Sequence, residues 1–250
     1  MAACPDGRCD GSGFVYDETA RRASDCSCRP RRIARRKARK LAGVIPRKYQ
    51  GVGFDRWPVT NIEPTIVREV RRYVDTLEQK LADGQGIWFE GDHGTGKTTL
   101  AMLISAEALR QGHSVAIYSL PRLLGLLRGS FSEESEASLS QLLDRLAAVE
   151  LLHIDDVGAE QSSPWVLEQL YTMINTRYED GGSVVLTTNL GPLELQKQIG
   201  KRTVSRLSEM CGEAPLLLKG TDERVAMEPH FPDDDEPQPY GTPRARRLAS

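Results

Sequence analysis

The 250-residue chain carries a net charge of −2, is long enough to bury a full core plus a small accessory piece, and holds no apolar run near the roughly 20 residues that span a bilayer. Its first residues, MAACPDGRCD, lack the basic-then-apolar layout of a secretory signal, so a soluble cytoplasmic protein with no membrane partner is expected. The small net charge hides an asymmetry: residues 1–48 sum to +8 and the remainder to −10, which predicts that the head meets something anionic.

Four of the five cysteines lie in that head, as Cys4-x₄-Cys9 and Cys26-x-Cys28 with sixteen residues between the pairs. Four thiolates so placed can surround one tetrahedral Zn²⁺, and Gly11 and Gly13 let the chain turn tightly over the metal. In a cytosolic protein a zinc site is the better reading than a disulfide framework; the alternative is a set of free thiols in a disordered arm. Cys211 stands alone and reads as a small buried apolar residue. RPRRIARRKARK (29–40), with eight basic residues in twelve, can contact phosphates non-specifically or dock on an acidic partner surface.

Beyond the head the chain reads as globular. Ile62, Ile66, Val67, Val70, Tyr73, Val74, Leu77 and Leu81 fall at helical spacing, with Asn61 as cap and Gly84 past the end. GIWFEG (86–91) is a strand, Lys97 to Arg110 a helix that stops at Gly112, and SVAIYS (114–119) a second strand. Leu123–Leu127 and Leu139–Ala148 read as helices, and ELLHIDD (150–156) as the next strand. Ser163-Pro164 opens a helix with a cap and a proline at its first position, which ends near Gly181-Gly182. SVVLTTN (183–189) is a fourth strand, KRTVSRLSEMC (201–211) a helix, and APLLLK (214–219) a fifth strand. From about Met227 the chain is proline-rich and charged, which predicts disorder. Strands that are almost continuously apolar and alternate with helices predict an α/β fold with a parallel sheet covered on both faces.

Gly91-Asp92-His93-Gly94-Thr95-Gly96-Lys97-Thr98 matches G-x-x-x-x-G-K-[ST], follows a strand and opens a helix. A chance match in a chain of this length is roughly a one-in-a-hundred event. Glycines there let backbone N–H groups wrap phosphate oxygens, and the helix N-terminus adds positive potential. Lys97 would reach the β- and γ-phosphates of ATP and Thr98 would hold Mg²⁺, with Thr99 next to it in the nucleotide set. All strands of a parallel sheet end at the edge where ligands bind, so Asp155 and Asp156 are expected beside this loop. Asp155 suits the Mg²⁺ shell, and Asp156 suits orienting or deprotonating a water. Asn189 is a third polar group at that edge and can help place the water. Neighbouring strand residues point to opposite faces, so two adjacent acids acting together is itself a puzzle.

GDHGTGKT, LLHIDDVGAE, VVLTTN and KRTVSRLSEM, in this order and spacing, resemble the bacterial helicase-loader ATPases DnaC and DnaI and their relative, the transposition helper IstB, all AAA+ proteins. The resemblance covers about residues 45–225. It implies a five-stranded sheet, with one strand standing between those ending at Gly91 and Asp155. It implies that Asn189 senses the γ-phosphate, that Arg206 is a finger reaching a neighbouring subunit's nucleotide, and that Arg224 is a second sensor; Arg202 competes with Arg206 for the finger. The Asp-Asp pair is this family's form where most AAA+ enzymes have Asp-Glu, and the shorter side chain fits a slow hydrolase. Some family members carry a zinc-binding head, with tighter cysteine spacing than here, that contacts the helicase.

The expected organisation is therefore a cysteine head (1–28), a basic linker or helix (29–44), an AAA+ ATPase domain (45–226) and a disordered tail (227–250). The expected function is loading or remodelling a replicative helicase on single-stranded DNA, with self-assembly through the ATP site. The alternative is a transposition helper acting with a transposase. A small-molecule kinase would need neither the Ser-Arg-Leu element nor a basic zinc head, and a zinc-and-arginine nucleic-acid module without catalysis would not need Lys97, Thr98, Asp155 and Asn189 together.

Overall fold

The apolar runs read from the sequence do pair into one parallel sheet, and the head forms a separate ribbon. The computed structural model describes residues 4, 7–18, 21–29, 45–129, 136–158, 163–212 and 214–220; expectations for residues 30–44, for Arg224 and for the tail 227–250 fall outside them. In the head, β1 (Phe14–Asp17) pairs antiparallel with β2 (Arg22–Asp25), Phe14 opposite Asp25 and Tyr16 opposite Ala23. Four-residue strands with little apolar content carry almost no pattern, and the sequence reading did not contain this hairpin.

The single helix expected from Ile62 to Leu81 is two. Helix α1 (Pro64–Asp75) and α2 (Leu77–Ala82) part at Thr76, whose hydroxyl donates to the Arg72 carbonyl at 2.9 Å; such back-bonding bends helices. Asn61 is not the cap. It closes a 3₁₀ turn, Val59–Asn61, and the helix starts behind Glu63 with Pro64 in its first turn.

Strand β3 (Ile87–Gly91) leads to α3 (Lys97–Arg110), and β4 (Val115–Ser119) to α4 (Leu120–Gly129) and α5 (Glu136–Ala148). After β5 (Leu151–Val157) come α6 (Pro164–Glu179) and β6 (Ser183–Thr188). Helices α7 (Pro192–Ile199) and α8 (Lys201–Cys211) precede the last strand, β7 (Leu216–Leu218). The sequence reading lacked α7, although Gly191-Pro192 carries the same start signal as Ser163-Pro164. The sheet order is β4-β5-β6-β3-β7, every neighbour parallel, so β6 stands between the strand that ends at Gly91 and the strand that ends in acids.

Period-two alternation sorts the strands' side chains into two layers. Phe89, Leu151 and Val185 pack on Val70, Leu77, Leu100 and Ile104 of α1, α2 and α3. Trp88, Leu152, Ile154 and Leu186 pack on Leu123, Leu170, Leu195 and Leu207 of α4, α6, α7 and α8. Among the described residues no helix is long and apolar enough to cross a membrane.

Candidate nucleotide site and cysteine cluster

The turn from β3 into α3 is built so that only glycine fits its ends. Gly96 has φ 95°, and a Cβ there would lie 2.4 Å from Ile62 Cδ1; a Cβ on Gly91 would lie 2.1 Å from the Leu218 carbonyl. The loop therefore runs closer to its neighbours than any side chain permits, and α3 presents its N-terminal N–H groups over the hollow. Lys97 is buried, and its ammonium donates to the carbonyls of Gly91 (2.8 Å) and Asp92 (2.6 Å). Thr95 Oγ1 donates to the Asp92 carbonyl at 2.8 Å and fixes the bend. Thr98 and Thr99 follow in the first turn, Thr99 buried and Thr98 half-buried. The nucleotide-loop residues expected from the sequence thus form one continuous cradle, with Asp92 and His93 at its exposed rim.

At the end of β5, with β6 between it and the loop's own strand, the backbone departs from the alternation that would send the two acids to opposite faces. Asp156 has φ 60°, a left-handed conformation that Asp tolerates better than most residues, and β5 shifts register against β6 between Ile154 and Val157. Strict alternation would put Val157 with Leu151; instead it packs with Leu152 and Ile154. The Thr187 hydroxyl locks the kink, donating to Asp155 Oδ1 at 2.7 Å and accepting from the Asp156 N–H at 2.8 Å. Burial by itself would raise the Asp155 pKa, but His153, Thr187 and Thr98 beside the carboxylate outweigh it and hold the group below the ordinary aspartate range. Asp155 is a carboxylate at neutral pH, facing the Thr98 hydroxyl, as a cation pair of ligands requires.

Asn189 completes the edge. Its Nδ2 lies 3.3 Å from Asp156 Oδ1 and 3.1 Å from His93 Nε2, so one amide joins the exposed acid to the phosphate loop. Behind Asp155, fully buried His153 places Nδ1 2.9 Å from Ser105 Oγ on α3 and Nε2 3.9 Å from Asp155 Oδ1, too long for a direct hydrogen bond and close enough for attraction. The sequence reading assigned no role to Ser105, His153 or Thr187. His153 was findable, because residue i−2 on a strand shares the face of Asp155.

A cavity of about 290 Å³ opens beside the loop, lined by Tyr49, Trp57, Ile62, Gly94, Lys97 and Leu218 among others. Its apolar wall comes from the stretch before α1, which the sequence reading left unassigned; the run Tyr49, Phe54, Trp57 was the available signal.

The finger candidates Arg202 and Arg206 both lie on α8. Arg206 places its guanidinium 4.1 Å over the Tyr178 ring and 3.6 Å from the Glu209 carboxylate, to which the Tyr178 hydroxyl donates at 2.7 Å. Arg202 is exposed.

In the head, the Sγ atoms of Cys4, Cys9, Cys26 and Cys28 all lie within 4.8 Å of one another, with Cys4–Cys26 at 3.8 Å and Cys9–Cys28 at 3.6 Å. The sulfurs of a tetrahedral zinc site, each ~2.3 Å from the metal, stand about 3.8 Å apart, whereas a disulfide requires ~2.05 Å. The hairpin brings the pairs together, the Cys26 N–H donating to the Gly13 carbonyl at 2.9 Å. Burial, then the crowding thiols of Cys26, Cys9 and Cys4, push the Cys28 thiol up to about 12; only a cation among the sulfurs makes four thiolates favourable there. The cluster can hold one metal ion.

Residues 60–206, more than half of the chain, match the family of IstB-like ATP binding proteins. The replicative helicase loader DnaC of Buchnera aphidicola subsp. Acyrthosiphon pisum is 25% identical over 181 residues, 70% of this chain and 72% of that protein. The phage-like element PBSX protein XkdC of Bacillus subtilis is 28% identical over 209 residues, 78% of this chain and 74% of that protein. The crystal structure of the DnaC helicase loader shares the fold at a TM-score of 0.59 and 23% identity, covering 69% of this chain and 99% of that one. DnaI does so at 0.56 and 21%, covering 70% and 94%. With this sheet order and phosphate loop, the chain belongs to the family of IstB-like ATP binding proteins, and it is similar to the helicase loaders DnaC and DnaI.

Proposed function

We propose that this protein is an ATP-dependent loader or remodeller of a replicative DNA helicase, in which ATP binding and slow hydrolysis switch its hold on the helicase and on single-stranded DNA. The observation that carries the reading is the single sheet edge where Lys97, Thr98, Asp155, Asp156 and Asn189 meet, in a chain akin to proteins named replicative helicase loader. The cavity walled by Tyr49, Trp57 and Ile62 would take the purine, and Lys97 would exchange the loop carbonyls for the β- and γ-phosphates. Thr98 and Asp155 would hold Mg²⁺, which when bound neutralises phosphate charge. Asp156 orients or deprotonates the attacking water, and Asn189 positions Asp156 while its contact with His93 reports what occupies the loop. An aspartate at this position reaches one methylene less far than a glutamate, and imprecise placement of a base slows the chemical step. A long-lived ATP state suits a switch.

Lys97→Ala removes charge-assisted contacts worth about 3 kcal/mol in total, so ATP affinity should fall about a hundredfold. The immobilised parent should retain a replicative helicase in ATP, and the variant should not. Unchanged nucleotide affinity would sink the phosphate-site reading. Retention of a transposase in place of a helicase would favour the second reading, a transposition helper, which the match to IstB-like proteins supports.

Cys4, Cys9, Cys26 and Cys28 hold Zn²⁺ in this reading, as a closed structural site. The freshly purified protein should contain about one zinc per chain by plasma emission spectroscopy, and the Cys26→Ser/Cys28→Ser variant none. That variant should keep its ATP affinity, since no cysteine of the head lines the nucleotide cavity. Metal-free protein straight from purification would count against the site.

A further inference from the structure

A second row of side chains joins the phosphate-loop helix to the strand of acids, one step deeper than the site itself. Thr98, Ala101 and Ser105 fall on one stripe of α3, and Asp155 and His153 lie two apart on one face of β5. Thr98 meets Asp155, and Ser105 Oγ meets His153 Nδ1 at 2.9 Å. Neither His153 nor Ser105 has exposed surface. The cross-strand neighbours of His153 are Ile117 on β4 and Val185 on β6, which offer no polar side chain. Among the described residues Nε2 has no hydrogen-bond partner, and Asp155 Oδ1 stands 3.9 Å from it. A buried polar atom left open costs stability, so an orphan of this kind calls for an explanation.

The Ser105 hydroxyl decides which ring nitrogen carries the proton. It has a single hydrogen and two acceptors in reach, His153 Nδ1 and the Ala101 carbonyl at 3.0 Å, and that carbonyl already accepts an N–H within the helix. With the hydrogen on the Ala101 side, a neutral ring must donate from Nδ1 and turn the Nε2 lone pair towards a carboxylate. With the hydrogen given to Nδ1, the ring proton sits on Nε2 and faces Asp155, which can only accept. The second arrangement is attractive and the first repulsive. We propose that His153, held in its Nε2–H tautomer by Ser105, is a positioning residue for Asp155, and that its contact with the acid closes to a hydrogen bond when Asp155 takes up Mg²⁺. This rests on the reading of Thr98 and Asp155 as the magnesium pair and adds what orients the acid. The Thr187 hydroxyl already donates to Asp155 Oδ1 at 2.7 Å, and a second donor on that same oxygen leaves Oδ2 for the cation. Partners behind a metal ligand are worth about 10–100-fold in metal affinity.

The test reads nucleotide binding rather than turnover. The full-length protein is titrated with mant-ATP, a fluorescent ATP, first in EDTA and then at rising Mg²⁺. His153→Asn keeps an amide near the place of Nδ1, within reach of Ser105, and removes the donor that faces Asp155. His153→Gln instead puts its amide nitrogen near the place of Nε2. The Asn variant should need about tenfold more Mg²⁺ than the parent for half-maximal tightening of mant-ATP, with its affinity in EDTA at the parental value. The Gln variant should need nearly the parental Mg²⁺, and Ser105→Ala, which leaves the tautomer unfixed, should fall between the two. A role in packing alone would weaken the Asn and Gln variants alike, in EDTA as well as in Mg²⁺, and that result would overturn the proposal. Nitrogen-15 NMR of the nucleotide-free parent at about pH 8, above the ordinary histidine range, gives a second readout. Of the four histidine rings, the one whose signals are lost in His153→Gln should carry its proton on Nε2, and a proton on Nδ1 would overturn the assignment. Parental Mg²⁺ dependence in His153→Asn would overturn the proposal alone. A parent that binds mant-ATP equally well with and without Mg²⁺ would overturn the magnesium reading of Thr98 and Asp155, and the proposal with it.

Discussion

Arg177→Met should melt about 10 °C below the parent. Arg177 lies near the end of α6 with no exposed surface, and its guanidinium donates to five backbone carbonyls. Nη1 reaches Leu146 (2.8 Å), Ala147 (3.2 Å) and Val149 (3.0 Å), and Nη2 reaches Glu150 (3.2 Å) and Ser183 (2.6 Å). Leu146 and Ala147 are in the last turn of α5, whose carbonyls have no partner within the helix; Glu150 and Ser183 stand at the starts of β5 and β6. One side chain thus ties a helix end to β5, which carries Asp155, and to β6, which leads to Asn189. Burial lowers its pKa to about 10, still well above neutral pH, so the charge is present and the carbonyls answer it. Methionine fills similar space and withdraws the guanidinium from all five carbonyls, of which Glu150 keeps the Ser183 N–H at 3.3 Å; each one left buried without a donor costs about 1–3 kcal/mol. Relief from burying a cation offsets part of this, and a net loss of about 4 kcal/mol remains, a large fraction of the 5–15 kcal/mol that holds a domain. At roughly 2–4 °C per kcal/mol for a chain this size, calorimetry should find the shift easily. A variant that melts within 2 °C of the parent would show that water or repacking satisfies those carbonyls.

Arg177 also marks what one sequence does and does not reveal. In the string it is an arginine near the end of an amphipathic helix, which describes most solvated arginines, and only the crossing of α6 over α5 gives it a role. Thr187 is similar, a polar residue in an apolar strand whose partner is 32 positions away. By contrast, the sheet and the phosphate loop were legible because their causes are local. Short apolar runs bounded by glycines and caps and alternating with helical patterns point to strands of one sheet, and Gly96 and Lys97 sit at a strand-to-helix turn that the motif itself demands. The acids were legible as residues but not as geometry: alternation sends Asp155 and Asp156 to opposite faces, and the left-handed backbone at Asp156 that overrides it leaves no mark beyond the choice of Asp. The hairpin of the head was hidden for the opposite reason. Its strands bury little, so period-two patterning never develops, and its order comes from the sulfurs.

Arg206→Ala should bind ATP as the parent does and lose about 10³-fold in the assembled ATPase rate. The hypothesis is that Arg206 acts in trans, stabilising charge that develops on the phosphoryl group of the next subunit's ATP, an effect worth 10³–10⁵ in well-studied cases; a short base at Asp156 places this enzyme at the low end. In the single subunit the guanidinium rests on Tyr178 and Glu209, and both contacts must be exchanged on assembly. A cation–π contact at a half-exposed site contributes about 0.5–1 kcal/mol and a surface ion pair about 0–1, while 10³ in rate is about 4 kcal/mol of transition-state stabilisation. Giving up both contacts would thus cancel only part of the rate gain that the hypothesis assigns to Arg206. Two measurements follow from a site completed by its neighbour. Specific activity of the parent should rise with protein concentration, whereas that of Arg206→Ala should stay flat. Mixing Arg206→Ala with Lys97→Ala, each inactive alone, should restore part of the rate, because the intact phosphate loop of one meets the intact finger of the other. Arg202→Ala in the same assay separates the two arginines of α8: a loss there, with Arg206→Ala unimpaired, would move the finger one turn earlier. Activity independent of concentration, and no recovery on mixing, would mean that each subunit hydrolyses ATP alone.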